Sequence, residues 1–282
     1  MKKITRRSFM AAAGLTVAAL ALTACGGSSS TASSAAASSV ASSAAASSEA
    51  ASAAATELTT VEAGKLAMAT NAAFPPYEMT TDAGEFEGID IDTAKAIAEK
   101  LGLELQIDDM DFDAALLSVQ QGKADIVMAG VTVTDERKAV MDFSDSYATG
   151  IQSIIVPEGS DITSPDDLAG KKIGTQRGTT GYIYCSDDFG DDAVVAYDDG
   201  LTAVQALNNG QVDAVVIDNA PAKEFVAANP GLVILDTSYA EEDYAIGLAK
   251  GSALEDAVNA ALEELKADGT LQSIVDKYIT AE

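Results

Sequence analysis

Two stretches of this chain follow the same order of residue types. Leu116-Leu117-Ser118-Val119-Gln120-Gln121-Gly122-Lys123-Ala124-Asp125-Ile126-Val127-Met128 is echoed by Val204-Gln205-Ala206-Leu207-Asn208-Asn209-Gly210-Gln211-Val212-Asp213-Ala214-Val215-Val216. In each, an apolar run at helical spacing stops at glycine (Gly122, Gly210), passes an aspartate (Asp125, Asp213) and enters a short apolar strand. A helix that ends on glycine and feeds a buried strand is the unit of α/β folds, so two copies predict two similar lobes. The alternative is two unrelated units, because any α/β chain ends helices this way. A weaker echo sets Gly64-Lys65-Leu66 against Gly170-Lys171-Lys172-Ile173. The geometric consequence is that Gly130 and Asp218 fall at equivalent strand ends, where open α/β sheets place their ligands.

The flanking pattern agrees with that reading. Lys65 to Thr70 predicts a strand, and residues 90–101 a helix with Ile91, Ala94, Ala98 and Leu101 on one stripe and Gly102 as its stop. Leu103, Leu105 and Ile107 alternate as the next strand, residues 112–121 form a helix and residues 125–129 another strand. Strands separated by helices imply parallel sheets with helices on both faces.

The amino terminus carries Lys2, Lys3, Arg6 and Arg7, then an uncharged apolar run from Phe9 to Leu22. Basic, then apolar, then small is the order of an export signal, and the run falls short of the roughly 20 residues a membrane span needs. Leu22-Thr23-Ala24-Cys25 resembles the lipobox of bacterial lipoproteins, which implies removal of residues 1–24 and a lipid on Cys25. Thr5-Arg6-Arg7-Ser8-Phe9-Met10 also resembles a twin-arginine signal, although paired arginines occur in any basic leader. From Gly26 to about Thr60 the chain is nearly all Ser, Ala, Gly and Thr. Such a stretch buries too little apolar surface to offset its ordering entropy, so the 25–62 span is expected to be a flexible tether.

Losing the leader's four basic residues takes the formal charge from −27 to −31. A surface this acidic is hostile to nucleic acid and anionic headgroups. No histidine is present, which excludes Ser-His and Cys-His catalytic pairs and the usual zinc sites. With Cys25 lipidated, Cys185 has no partner in the chain, so no internal disulfide, cofactor or metal is expected.

From Gly64 onward the chain resembles the family 3 solute-binding proteins of ABC importers for polar amino acids. The resemblance rests on Ala69-Thr70-Asn71-Ala72-Ala73-Phe74-Pro75-Pro76-Tyr77, Gly88-Ile89-Asp90-Ile91-Asp92, Met110-Asp111-Phe112, Ala129-Gly130-Val131-Thr132-Val133-Thr134-Asp135-Glu136-Arg137, Asp142-Phe143-Ser144 and Asp268-Gly269-Thr270, in that order. It implies a two-lobed periplasmic-binding-protein-like fold of type II, each lobe a mixed, mostly parallel sheet flanked by helices. Lobe 1 is expected over 63–149 plus 247–282 and lobe 2 over 150–246, with hinge crossings near 148–153 and 244–247.

The resemblance also implies an amino-acid site, and the residue chemistry suits one. Thr134 reads as a helix N-cap, and Arg137 offers a planar fork for a carboxylate. The alternative for Arg137 is an ion pair with Asp135 or Glu136. Gly178-Thr179-Thr180-Gly181 reads as a helix start bringing further amide donors through Thr179 and Thr180. Asp218, unpaired at the end of an apolar strand, would take the ammonium, with the Gly130 carbonyl and Thr132 hydroxyl completing its acceptors beside Ala129. Phe74 and Phe112 would sandwich the ligand side chain. Asn71, where cation-binding relatives commonly carry aspartate, and Gln176 point to a polar neutral side chain such as glutamine.

The expectation is therefore a monomeric, non-enzymatic, lipid-anchored extracytoplasmic protein that hands an amino acid to a membrane permease. Two alternatives stand beside it: a dehydratase on the same fold, which would need a general acid at the leaving group, and an amino-acid sensor. With no span or output module after Glu282, a sensor would need a separate partner.

Overall fold

The computed structural model describes residues 58–279. The expectations for residues 1–24, for Cys25 and for most of the 25–62 span lie outside the described residues. The end of that span is held in place: Leu58 packs on the hydrophobic core, and the Val61 amide donates to Asp125 at 2.8 Å.

In chain order the first elements are β1 (Lys65–Thr70), β2 (Ala73–Phe74), β3 (Glu78–Thr80), β4 (Phe86–Glu87), α1 (Ile89–Leu101), β5 (Glu104–Asp109), α2 (Phe112–Gln120), β6 (Ile126–Val127), α3 (Asp135–Lys138) and β7 (Met141–Phe143). There follow β8 (Ala148–Pro157), β9 (Ile173–Gln176), α4 (Thr180–Phe189), β10 (Val194–Tyr197), α5 (Gly200–Asn208), β11 (Ala214–Asp218), α6 (Asn219–Ala228), β12 (Leu232–Ile234), β13 (Ala240–Tyr244), β14 (Gly247–Ala249), α7 (Glu255–Ala267) and α8 (Thr270–Tyr278).

These strands make two main sheets, ordered β5-β1-β6-β14-β7 and β10-β9-β11-β8-β12, with β13 also pairing β8. A small sheet, β2-β3-β4, stands apart. Leu66, Ala67, Met68 and Ala69 of β1 are all buried, as suits a strand covered on both faces.

The sheets are mixed rather than parallel throughout. β1 runs parallel to β5 and β6, but β14 is antiparallel to both β6 and β7. Likewise β9 is parallel to β10 and β11, while β8 is antiparallel to β11, β12 and β13. The cause is topological. A parallel pair needs a helical crossover, and β8 and β14 are the strands by which the chain passes from one sheet to the other without one. The two passages run side by side, with the Tyr147 amide donating to the Tyr244 carbonyl at 3.0 Å and the Ser144 amide to that of Ile246 at 2.9 Å.

The sequence echo is a structural echo. Gly122 and Gly210 take φ of +65° and +67°, closing α2 and α5 with matching bonds: Lys123 to Ser118 and Gln211 to Ala206, each 2.9 Å. Each downstream aspartate then accepts an amide at the start of its sheet's central parallel strand. Asp125 takes that of Ala67 at 2.8 Å, and Asp213 that of Lys172 at 2.7 Å.

Cys185 is a free, fully buried thiol, and burial pushes its pKa up to about 12. Among the described residues no helix is long and apolar enough to cross a membrane.

Candidate functional site

The carboxyl ends of the central strands in both sheets open onto one cavity. Every residue singled out from the sequence for this role lines it. Asn71, Phe74, Phe112, Ala129, Gly130, Thr132 and Arg137 come from the first sheet and its loops, and Gln176, Thr179, Thr180 and Asp218 from the second.

Arg137 is held where a cation is costly to bury. Thr134 caps α3 by accepting the Arg137 amide at 3.2 Å, and the turn so formed carries the guanidinium inward to 8 % exposure. Nη1 donates to the Thr132 carbonyl at 2.8 Å, Nη2 to the Gly178 carbonyl at 3.1 Å, and the fork lies 5.4 Å from the centre of the Phe112 ring. Asp135 and Glu136 are exposed, and the guanidinium bonds to the Thr132 and Gly178 carbonyls instead of to either of them, so that alternative falls. Burial lowers the Arg137 pKa, partly opposed by the charge of Glu242. A buried guanidinium resting on neutral carbonyls is a site prepared for an anion.

A second donor set faces it. Thr179 caps α4, accepting the Tyr182 amide at 3.3 Å, and first-turn amides have no partners within a helix. Gly181 lets α4 begin this close, because a Cβ there would meet Gln152 Oε1 at 2.9 Å and the Val216 carbonyl at 3.2 Å.

Asp218 is 2 % exposed, but it is not the unpaired carboxylate expected from the sequence. It caps α6, with Oδ1 accepting the Ala220 amide at 2.9 Å and Oδ2 that of Ile151 at 2.8 Å. Burial pushes its pKa up to about 6 against the pull of these amides and of the Tyr244 hydroxyl. An aspartate that ends a strand and begins a helix is aimed by its own cap, and a carboxylate has roughly four acceptor positions, so capacity for a cation remains.

Gly130 has φ of +55°, and a Cβ on it would lie 2.9 Å from the Phe74 ring, so the position requires glycine. Its amide donates to Asp90 at 3.0 Å. The Thr132 hydroxyl donates to Glu242 at 3.0 Å, which leaves its lone pairs for a donor from the cavity. Asn71 and Gln176 meet directly: Gln176 Nε2 donates to Asn71 Oδ1 at 2.8 Å, and Asn71 Nδ2 to the Met110 carbonyl at 2.9 Å. Phe74 stacks on Tyr77 with ring centres 5.7 Å apart, and Phe112 lies beneath Arg137.

The sequence reading missed Glu78, Gln152, Val216, Ile217 and Tyr244 in the lining, and Glu242 behind it. Glu242 and Tyr244 left a trace, because β13 buries every second residue and both share its inner face. The charge run Glu241-Glu242-Asp243 hides that alternation. Glu78 left no signal, being a single carboxylate in a short strand.

Residues 66–281 match the bacterial extracellular solute-binding proteins, family 3. The chain is 33 % identical to a "Probable histidine-binding protein" of Neisseria gonorrhoeae, over 96 % of its own length and 95 % of that protein. It is 35 % identical to an ABC transporter glutamine-binding protein of Bacillus subtilis, over 70 % and 74 %. Among solved structures, an ancestral arginine-binding protein bound to glutamine is similar at a TM-score of 0.74 and 43 % identity, covering 77 % of this chain and 99 % of that one.

Proposed function

This chain belongs to the bacterial extracellular solute-binding proteins, family 3, and we propose that its cavity takes a polar amino acid, with a glutamine-like side chain preferred. It is an extracellular binding protein of amino-acid ABC transport, so its chemistry is capture rather than catalysis.

The observation that carries the reading is a buried guanidinium and a buried carboxylate, Arg137 and Asp218, in the wall of one cavity. An amino acid offers the complementary pair, a carboxylate for the Arg137 fork and the α4 amides and an ammonium for Asp218, Thr132 and the Gly130 carbonyl. Each charge-assisted hydrogen bond contributes about 1.5–3 kcal/mol. For the side chain, the Asn71–Gln176 pair presents uncharged amides, and relatives at similar distance are described as binding glutamine, arginine or histidine. A thermal-shift screen of the twenty amino acids tests this, with glutamine expected to raise the midpoint most. A larger rise with a purely apolar amino acid would sink the polar reading, and no rise with any would sink amino-acid capture.

The two sheets support residues 63–149 plus 247–282 as one lobe and 150–246 as the other, closing about the paired passages near 148–153 and 244–247. Saturating ligand in the same preparation should lower the radius of gyration, and an unchanged value would leave a binding site without a clamp.

For the leader, basic, apolar and small residues ending at Cys25 support a lipid anchor that holds a monomer at the outer face of the membrane. Cys25→Ser should release the protein to the soluble fraction with affinity unchanged, and full membrane retention of that variant would rule out lipidation at Cys25.

A further inference from the structure

One group in the cavity wall has no part in holding the common amino-acid core. Glu78, on β3, is fully buried and lines the cavity, yet neither of its carboxyl oxygens has a hydrogen-bond partner. Asp90, at the start of α1, is also fully buried. Its Oδ2 accepts the Tyr147 hydroxyl at 2.8 Å and the Gly130 amide at 3.0 Å, while its Oδ1 has no partner. The Asp90 amide donates to the Tyr77 carbonyl at 2.9 Å, which sets the start of α1 beside β3, and Asp90 is the charge that acts most strongly on Glu78.

Two ionised carboxylates in contact can only accept, so three buried oxygens would go unsatisfied and two like charges would face each other in a dry wall. One proton removes most of that difficulty. With Glu78 protonated, its hydroxyl donates to Asp90 Oδ1, Asp90 keeps its charge with all its acceptors engaged, and the second Glu78 oxygen is free to accept from the cavity. The surroundings offer no other relief. The charged groups whose fields reach Glu78 are Asp90 on α1, Asp218 at the end of β11 and Asp109 at the end of β5, all acidic. Tyr77 and Tyr147 are the titratable neighbours and stay neutral, their pKa values raised by burial. Burial first, then Asp90, raises the Glu78 carboxyl well above the ordinary carboxylate range, and burial pushes Asp90 up to about 6.

We infer that Glu78 and Asp90 share one proton in the empty cavity, and that a ligand side chain bearing a positive charge expels that proton to solvent on binding, whereas a neutral amide side chain leaves it in place. This rests on the reading of the cavity as an amino-acid site and deepens it. The proton balance is simple: the pair goes from one negative charge to two as one cationic side chain arrives and one proton departs to buffer. A single wall can then serve a neutral side chain as an acceptor and a cationic one as a counter-ion. Asn71, uncharged, need not do the second task.

Calorimetry of the full chain with glutamine and with arginine, in buffers of different ionisation enthalpy, counts the protons. The window between about pH 6.5 and 8 keeps the Asp218 carboxyl ionised and both ligands' α-ammonium groups largely charged. Arginine should release close to one proton and gain about tenfold in affinity per pH unit, with glutamine releasing none and staying flat. Glu78→Gln, which imitates the protonated acid, should remove the arginine slope and lower the arginine-to-glutamine affinity ratio by about tenfold or more. Should that variant not fold, the wild-type proton counts decide alone. Equal proton release by both ligands, none by arginine, arginine failing to bind across the window, or a slope that survives in Glu78→Gln would each overturn the inference. Arginine binding without release of the proton would do so while leaving the amino-acid site intact. Absence of binding by any amino acid would remove both.

Discussion

The units α2–Gly122–Asp125–β6 and α5–Gly210–Asp213–β11 are built on one plan and end in different chemistry. Both helices close with the same pair of backbone bonds about a left-handed glycine, and both aspartates pin the amide that opens their sheet's central parallel strand. Past the strand they part. The first continues through Ala129 into Gly130, whose amide is taken by Asp90 and whose carbonyl is a neutral acceptor. The second stops at Asp218, whose side chain caps α6 and carries a charge. Two equivalent strand ends therefore deliver a backbone group from one side and a carboxylate from the other. The frame sets where a ligand lies, and the residue at the strand end sets what it must be.

The largest expected effect breaks the comparison at the charges. Arg137→Ala or Asp218→Ala leaves the partner charge of a bound amino acid buried and unpaired, a cost of about 2–5 kcal/mol and so at least about 30-fold in affinity. Asn71→Ala should cost clearly less and mainly reorder preference among side chains, because it touches nothing common to all amino acids. Calorimetry on the three variants measures this, with ligand analogues lacking the amino or carboxyl group as controls. Native affinity in Arg137→Ala would mean that the carboxylate lies elsewhere.

The frame was more legible in the sequence than the cavity wall. Helix stops, the strand at Lys65–Thr70, the N-cap at Thr134 and the helix start within residues 178–181 follow from local rules, where a glycine or threonine has few other uses. The antiparallel entries of β8 and β14 did not follow, since nothing within either strand states which neighbour it will meet. For the site, the residues found are those whose chemistry is unusual for their place: an inward arginine, a glycine between apolar residues, a carboxylate closing an apolar strand. Glu78 and Glu242 were missed because a carboxylate in a strongly acidic chain is unremarkable until its burial is known. The resemblance did not supply them either, because the matching segments stop at Tyr77, one residue before Glu78.

A smaller effect sharpens the comparison within the frame itself. Asp125 and Asp213 hold the same position in the two units but differ in surroundings: Asp125 is 6 % exposed and accepts two amides, from Val61 and Ala67, whereas Asp213 is exposed and accepts one, from Lys172. Removing a buried acceptor strands its donors, at about 1–3 kcal/mol, while an exposed amide can turn to water and lose only about 0.5–1.5 kcal/mol. Asp125→Ala should therefore destabilise more than Asp213→Ala in urea unfolding, with m-values unchanged in both if each variant keeps its compact native state. The extra bond of Asp125, to Val61, also ties the segment that precedes β1 to the first sheet. Truncating the chain to begin at residue 63 removes that bond along with the Leu58 packing and the contacts of Glu62 with Lys65, losses common to both variants, and should narrow the gap between them without reversing it, because the Ala67 amide stays buried. Equal losses in the full chain would mean that the two aspartates are interchangeable parts, and that burial around Asp125 adds nothing to the frame.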